Sequence, residues 1–108
     1  MGVVVVRYKT TADRADENQA LIEKVFGQLQ VDQPAGLRYA AFRLADEVSF
    51  VHVASVETDD GTNPLTSTAT FSEFVGQIGD RVEDGPHSSE AAVVGSYRFW
   101  SGASGSDG

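Results

Sequence analysis

The period of the apolar residues switches back and forth along this chain, and that alternation limits the folds open to it. Val3-Val4-Val5-Val6 is a continuous β-branched run that opens a strand over residues 3–9. Leu21, Ile22, Val25, Phe26 and Leu29 then recur at helical spacing on an otherwise polar segment. Residues 37–44 and 48–56 return to strand character, and Phe71, Phe74, Val75, Ile78 and Val82 resume the helical stripe. Residues 91–100 read as a closing strand. The order is β-α-β-β-α-β, the ferredoxin-like arrangement, and right-handed crossovers put both helices on one face of a four-stranded antiparallel sheet. The predicted class is α+β.

Local signals mark the boundaries. Asp13, Asp16 and Glu17 complement the N-terminus of the first helix, and Pro34 with Gly36 ends it. Asp46-Glu47 is a hairpin turn between the second and third strands. Thr70-Phe71-Ser72-Glu73 matches a capping box and opens the second helix, which Gly76 and Gly79 weaken and Asp84-Gly85-Pro86 closes. Residues 1–100 form one domain. The Gly/Ser-rich residues 101–108 read as a disordered tail.

The 108 residues carry 16 acidic and 8 basic side chains, a net charge of −8 with no basic cluster. Such a field repels nucleic acid and anionic lipid. The chain has no cysteine, which excludes a disulfide framework, a thiolate metal site and a cysteine nucleophile. No run approaches the roughly 20 apolar residues of a membrane span, and Val3–Val6 is too short for a signal-peptide core. A cytoplasmic protein is expected. His52 and His87 lack metal-ligand spacing, and Glu57, Asp59, Asp60 and Gly61 lack the further oxygens of a calcium loop. No metal or cofactor is expected.

Strand alternation divides the side chains into two sets. Val4, Val6, Tyr8, Ala40, Phe42, Leu44, Val51, Val53 and Val94 are nearly all apolar and are expected to pack under the helices. Val3, Val5, Arg7, Leu37, Tyr39, Ala41, Arg43, Phe50, His52, Val93, Tyr97 and Phe99 then occupy the open face. The Asp46-Glu47 turn places Ala41 opposite His52 and Phe42 opposite Val51, with Tyr39 and Arg43 diagonal to His52. A mixed open face of this size marks an interface, and a second copy would cover it sheet against sheet.

Val3-Val4-Val5-Val6-Arg7-Tyr8, Glu17-Asn18-Gln19, Gly36-Leu37-Arg38-Tyr39, Phe50-Val51-His52-Val53 and Val94-Gly95-Ser96-Tyr97 follow one another over residues 3–100. In this layout the chain resembles the dimeric α+β barrel superfamily, in particular its antibiotic-biosynthesis-monooxygenase-like group. The resemblance implies a homodimer whose two sheets close a barrel, with a ligand pocket inside the barrel or between each sheet and its helices. Some relatives oxidise polycyclic aromatic substrates with dioxygen and no bound cofactor, others degrade haem, and many have no known activity. The haem-degrading relatives use an asparagine on the first strand and a histidine on the second helix. This chain has Arg7 on the first strand and no histidine in the second helix, which disfavours haem. Trp100, Tyr39, Tyr97, Arg7, Arg43 and Asn63 are of the residue types used by the cofactor-free oxygenases, without an alignment to their roles.

The candidate catalytic residues are His52, Arg7 and Arg43; the candidate ligand-binding residues are Tyr39, Tyr97 and Phe50. A histidine in a semi-enclosed apolar pocket serves as a general base near neutral pH, or else is a hydrogen-bonded part of a dimer contact. Arg7 and Arg43 would clamp an anion, or else pair with acids of a partner. Tyr39 and Tyr97 would orient a planar ligand, or else fill an interface. Trp100 is expected to pack on the partner. Three readings stand: a small-molecule-binding dimer that acts as a cofactor-independent oxygenase on an aromatic or enolisable substrate; a non-catalytic, ligand-binding or stress-associated barrel; and a purely structural dimer. A cavity of roughly 300 Å³ or more separates the first two from the third.

Overall fold

The β-branched run at the start of the chain lies in a nine-residue strand, β1 (Gly2–Thr10), in a computed structural model that describes residues 2–58 and 63–97. A 3₁₀ turn (Ala12–Arg14) leads into α1 (Ala15–Asp32), with Asp16 and Glu17 in its first turn. The helix stops where Gln33 takes a left-handed conformation and donates its backbone N–H to the Leu29 carbonyl, just before Pro34. Strands β2 (Leu37–Arg43) and β3 (Ser49–Val56) follow as a hairpin. A second 3₁₀ turn (Pro64–Ser67), two short helices α2 (Ala69–Gly76) and α3 (Ile78–Arg81), and β4 (Val82–Ala91) complete the described chain.

The sheet is antiparallel with strand order β2-β3-β1-β4, which is the ferredoxin-like topology expected from the element order. The hairpin register is also as expected: Ala41 faces His52 and Phe42 faces Val51. The turn itself is wider than Asp46-Glu47. Leu44 and Ser49 close it, Glu47 sits at φ +69°, and Asp46 Oδ1 accepts from the backbone N–H groups of Val48 and Ser49. Two extra loop residues, one on each side, leave the register unchanged.

Three expectations are corrected. The faces of β2 and β3 are inverted: Val6 opposes His52, Tyr8 opposes Phe50, and Val4 opposes Ala54. Opposed residues share a face, so His52, Phe50, Tyr39 and Ala41 lie under the helices with Val4, Val6 and Tyr8. Phe42, Ala40, Val51 and Val53 are on the open face, where Phe42 remains 42% exposed. Secondly, the last strand is residues 82–91 and not 91–100. Residues 92–97 are exposed and outside any strand, with Val94 fully exposed, while Phe99, Trp100 and the Gly/Ser-rich tail lie outside the described residues. Gly85-Pro86 therefore belongs to β4, at a register shift against Arg7 and Lys9. Gly85 has φ +95°, and a Cβ there would stand 3.0 Å from the Arg7 carbonyl oxygen, so only glycine fits without strain. Thirdly, the cap of the second helix is Thr68, whose hydroxyl accepts from Phe71 N–H, rather than Thr70. The weakness expected at Gly76 appears as a break at Gln77 between α2 and α3.

The core is centred on Tyr8, Ile22, Val25, Phe50, Leu65 and Phe74, between the sheet and α1 and α2. Among the described residues no helix is long and apolar enough to cross a membrane.

Candidate functional site

Between the helix-covered face of the sheet and α2–α3 lies a cavity of about 280 Å³. β1 supplies Val4, Val6 and Tyr8 to its floor; β2 and β3 supply Tyr39, His52, Ala54 and Val56; Leu65, Phe71, Phe74, Val75 and Ile78 form the roof. These residues are there for a local reason. Strand alternation turns every second side chain of β1, β2 and β3 toward the helices, and the α2 stripe returns the apolar face that meets them.

Apart from Asn63, whose Oδ1 accepts from the Leu65 N–H at the rim, the polar groups in this apolar setting form one chain. His52 is only 5% exposed, and both ring nitrogens are engaged: Nδ1 is 2.6 Å from the Tyr39 hydroxyl and Nε2 is 2.9 Å from the Tyr8 hydroxyl. Tyr8 accepts from Asn18 Nδ2 on α1 at 2.8 Å. Asn18 Oδ1 accepts from Arg81 Nε at 2.9 Å, and Arg81 Nη2 donates to the Phe74 carbonyl at 2.7 Å. Asn18 and Arg81 are fully buried. The Arg81 guanidinium also lies over the Phe74 ring, 5.1 Å from its centroid. Among the described residues no carboxylate forms an ion pair with it, and Arg81 Nη1 has no partner.

Burial sets the electrostatics. It pushes the His52 imidazole down to about 4, so the ring is neutral at physiological pH. Burial pushes the Tyr8 hydroxyl up to about 12, with the Asn18 hydrogen bond and the Arg81 charge pulling the other way. Tyr39 is raised above the ordinary tyrosine range by burial, with Tyr8 adding to the effect. Arg81 is lowered by burial, with Tyr8 and Glu17 opposing, and a guanidinium remains protonated even so. Ring contacts hold the geometry: Tyr39 stacks on Phe26 of α1 with centroids 4.9 Å apart, and Tyr8 stacks on Phe50 at 5.5 Å.

The structure brings together two of the six sequence-predicted site residues, His52 and Tyr39. Phe50 is buried beneath Tyr8 and does not line the cavity. Arg43 points to the other end of the helix–sheet layer, where it pairs with Asp16 at 3.1 Å, donates to Gln19 Oε1 at 2.7 Å and covers the Phe50 ring. Arg7 is exposed on the open face opposite Val51 and His87. Tyr97 is 81% exposed beyond β4. The anion clamp expected from Arg7 and Arg43 is therefore absent from the cavity: the reversed phase of β2 and β3 relative to β1 leaves Arg7 on the opposite face from His52, and Arg43, although on the same face as His52, is held at the far end of the layer by Asp16 and Gln19. Neither Asn18 nor Arg81 is among the six candidates, although a signal exists. Asn18 precedes Ile22, Val25 and Leu29 at stripe spacing, and Arg81 follows Phe74 and Ile78, so each is a polar residue at a core-facing position of its helix. His87 pairs with Asp84 at 3.2 Å on the surface, and among the described residues no three metal-ligating side chains gather.

No family model matches the sequence, and no curated protein does. Solved structures do match. The chain aligns with a crystal structure of an antibiotic biosynthesis monooxygenase at a TM-score of 0.71 and 16% identity, covering 88% of this chain and all of the other. A Nitrosomonas europaea protein ascribed to the same group gives 0.70 at 15% identity, over 86% of this chain and 89% of the other. The Mycobacterium tuberculosis protein Rv0793 gives 0.70 at 14% identity, over 88% and 96%. This chain shares their fold. That is the fold of the antibiotic-biosynthesis-monooxygenase-like group, as the layout of the sequence implied. At such identities the likeness carries the architecture, and the chemistry rests on the cavity.

Proposed function

We propose that this protein binds a small, largely apolar, planar molecule in the cavity beneath α2, with one polar group of the ligand meeting Tyr39. The observation that supports this most directly is the cavity itself: about 280 Å³, walled by aliphatic and phenyl side chains, with Tyr39, Tyr8 and His52 grouped on its floor. Its volume is near the lower end for ligand sites, and an apolar cavity of about 150 Å³ already takes a benzene, so a bicyclic ring system is a reasonable occupant. The stacked aromatic pairs beneath it hold the hydroxyls in place before a ligand arrives.

A second reading rests on the fold shared with proteins called antibiotic biosynthesis monooxygenases. In it the ligand is an acidic enol or phenol that enters as its anion, the Tyr39 hydroxyl stabilises the oxyanion, and dioxygen reacts with the electron-rich carbon without a bound cofactor. His52 is then the group that holds Tyr39, since both its nitrogens are occupied and its basicity is low. The partner in either reading is a second copy. Val3, Val5, Ala40, Phe42, Val51 and Val53 form an apolar patch on the open face of the sheet, beside Arg7 and Arg38, and such a patch is suited to an interface with that copy.

Titration with bicyclic aromatic ketones, followed by NMR, tests the binding reading. Expected are shifts confined to cavity residues such as Val6, Leu65 and Phe74, and their loss in Val75→Trp, which projects an indole into the space. Shifts that persist unchanged in Val75→Trp would place binding elsewhere and end this reading.

A further inference from the structure

Arg81 sits at one end of a hydrogen-bond chain whose other end is in the cavity, and it is the only member that cannot accept a hydrogen bond. Its Nε–H forces Asn18 to present Oδ1 on that side, so the Asn18 amide must turn Nδ2 toward Tyr8. Tyr8 oxygen accepts that bond. The Tyr8 hydroxyl has one proton, and its further partner among the described residues is His52 Nε2. If Tyr8 gives its proton to Nε2, the neutral ring carries its own proton on Nδ1 and donates it to Tyr39 oxygen. The Tyr39 proton then has the cavity to point into. In the reverse arrangement the free proton would be that of Tyr8, which also borders the cavity but is 2% exposed and has no acceptor beside it among the described residues, and an orphaned buried donor is costly. Tyr39 is the less buried of the two hydroxyl residues and can give its proton to a ligand.

We propose that Arg81, acting through Asn18, fixes the direction of this chain so that Tyr39 presents an O–H donor, which selects ligands with a carbonyl or anionic oxygen over ligands whose polar group is a donor. The proposal rests on the binding reading above and adds the class of ligand. Arg81 and Asn18 are positioning residues, since neither lines the cavity. A site built around one buried hydrogen bond discriminates strongly against a ligand that leaves its donor unmet.

The test uses two bicyclic probes of similar shape: 1-indanone, whose polar atom only accepts, and indole, whose polar group only donates. The natural protein is expected to bind 1-indanone about tenfold more tightly than indole. Asn18→Asp is close to isosteric and keeps the Arg81 contact, but its carboxylate cannot donate to Tyr8. Tyr8 must then give its proton to that carboxylate, His52 must protonate at Nε2, and Tyr39 must donate to Nδ1, leaving its oxygen to accept from a ligand. The preference is expected to invert in this variant, to about tenfold in favour of indole. The ¹⁵N shifts of His52 give an independent readout: the Nδ1–H tautomer in the natural protein and the Nε2–H tautomer in Asn18→Asp. An unchanged preference or an unchanged tautomer in a folded Asn18→Asp protein would overturn the proposal. If Asn18→Asp does not fold, an Nε2–H tautomer in the natural protein overturns it and an Nδ1–H tautomer supports it. If neither probe binds, the binding reading fails on its own, and the tautomer still decides the direction of the chain.

Discussion

The Tyr39 hydroxyl lies 2.6 Å from His52 Nδ1 across two adjacent strands, at diagonal positions of the β2–β3 register. The pairing makes the histidine a structural link between two tyrosines rather than a free base, and it places this polar cluster of the cavity on the rigid sheet. Asn18 and Arg81 then tie the cluster to α1 and α3, so one polar chain spans the layers of the fold.

Tyr39→Phe removes the acceptor of His52 Nδ1 and the hydroxyl offered to a ligand while keeping the stack on Phe26. We expect a stability loss of about 1–2 kcal/mol in urea denaturation and a loss of about tenfold in affinity for aromatic ketones. An affinity that does not change would remove Tyr39 from the ligand site.

His52 gives a pH signature. Its folded-state value, about 4, lies below the ordinary 6.5, so between those values the unfolded chain binds the extra proton. Stability is therefore fully retained above pH 6.5 and falls as pH drops toward 4, by about 3 kcal/mol in all from this group. Denaturant midpoints measured at pH 7.5, 6, 5 and 4 should show this slope, and His52→Gln should lose most of it. Carboxylate titration contributes to both proteins and cancels in the difference.

Two glycine substitutions should have opposite signs. Gly85→Ala meets the Arg7 carbonyl at 3.0 Å and holds a positive φ, so a loss of about 1–3 kcal/mol is expected. Gly27→Ala lies on the exposed side of α1 with nothing within 4 Å of the new Cβ, and should gain about 0.5–1 kcal/mol. Thermal unfolding of the two variants beside the natural protein checks both.

A charge on the open sheet face should dissociate the proposed dimer. Val53→Asp places a carboxylate among Val5, Ala40 and Val51, away from the cavity. Sedimentation at micromolar concentration should change from dimer to monomer. A natural protein that already sediments as a monomer would sink this assembly.

Most of the fold was legible because β1, α1 and the β2–β3 hairpin each carried a local signal. The apolar stripe of α1, the β-branched opening and the hairpin register follow from backbone geometry acting over a few residues, and all three appear in the structure. The edge strand β4 did not show, because its residues, Val-Glu-Asp-Gly-Pro-His-Ser-Ser-Glu-Ala, are mostly exposed and polar. It forms by pairing with β1, a long-range event that leaves little mark on local composition. His52 and Tyr39 were legible as a pair through the same register that placed Ala41 opposite His52.

What the sequence alone determined is the order of elements, the topology and which residues of β2 and β3 share a face. Which of the two faces of β2 and β3 meets the helices was decided only in three dimensions. In β3, Val51 and Val53 are as apolar as Phe50 and Ala54, so alternation gives two sets of nearly equal hydrophobicity and no local preference between them. The choice falls to cross-strand pairing with β1 and to packing on α1 and α2, where Phe50 stacks on Tyr8 and Tyr39 on Phe26. The same docking turns Asn18 and Arg81, 63 residues apart in sequence, into neighbours. A buried amide and a buried guanidinium cannot be left unpaired, and only the tertiary structure determines which partners they find.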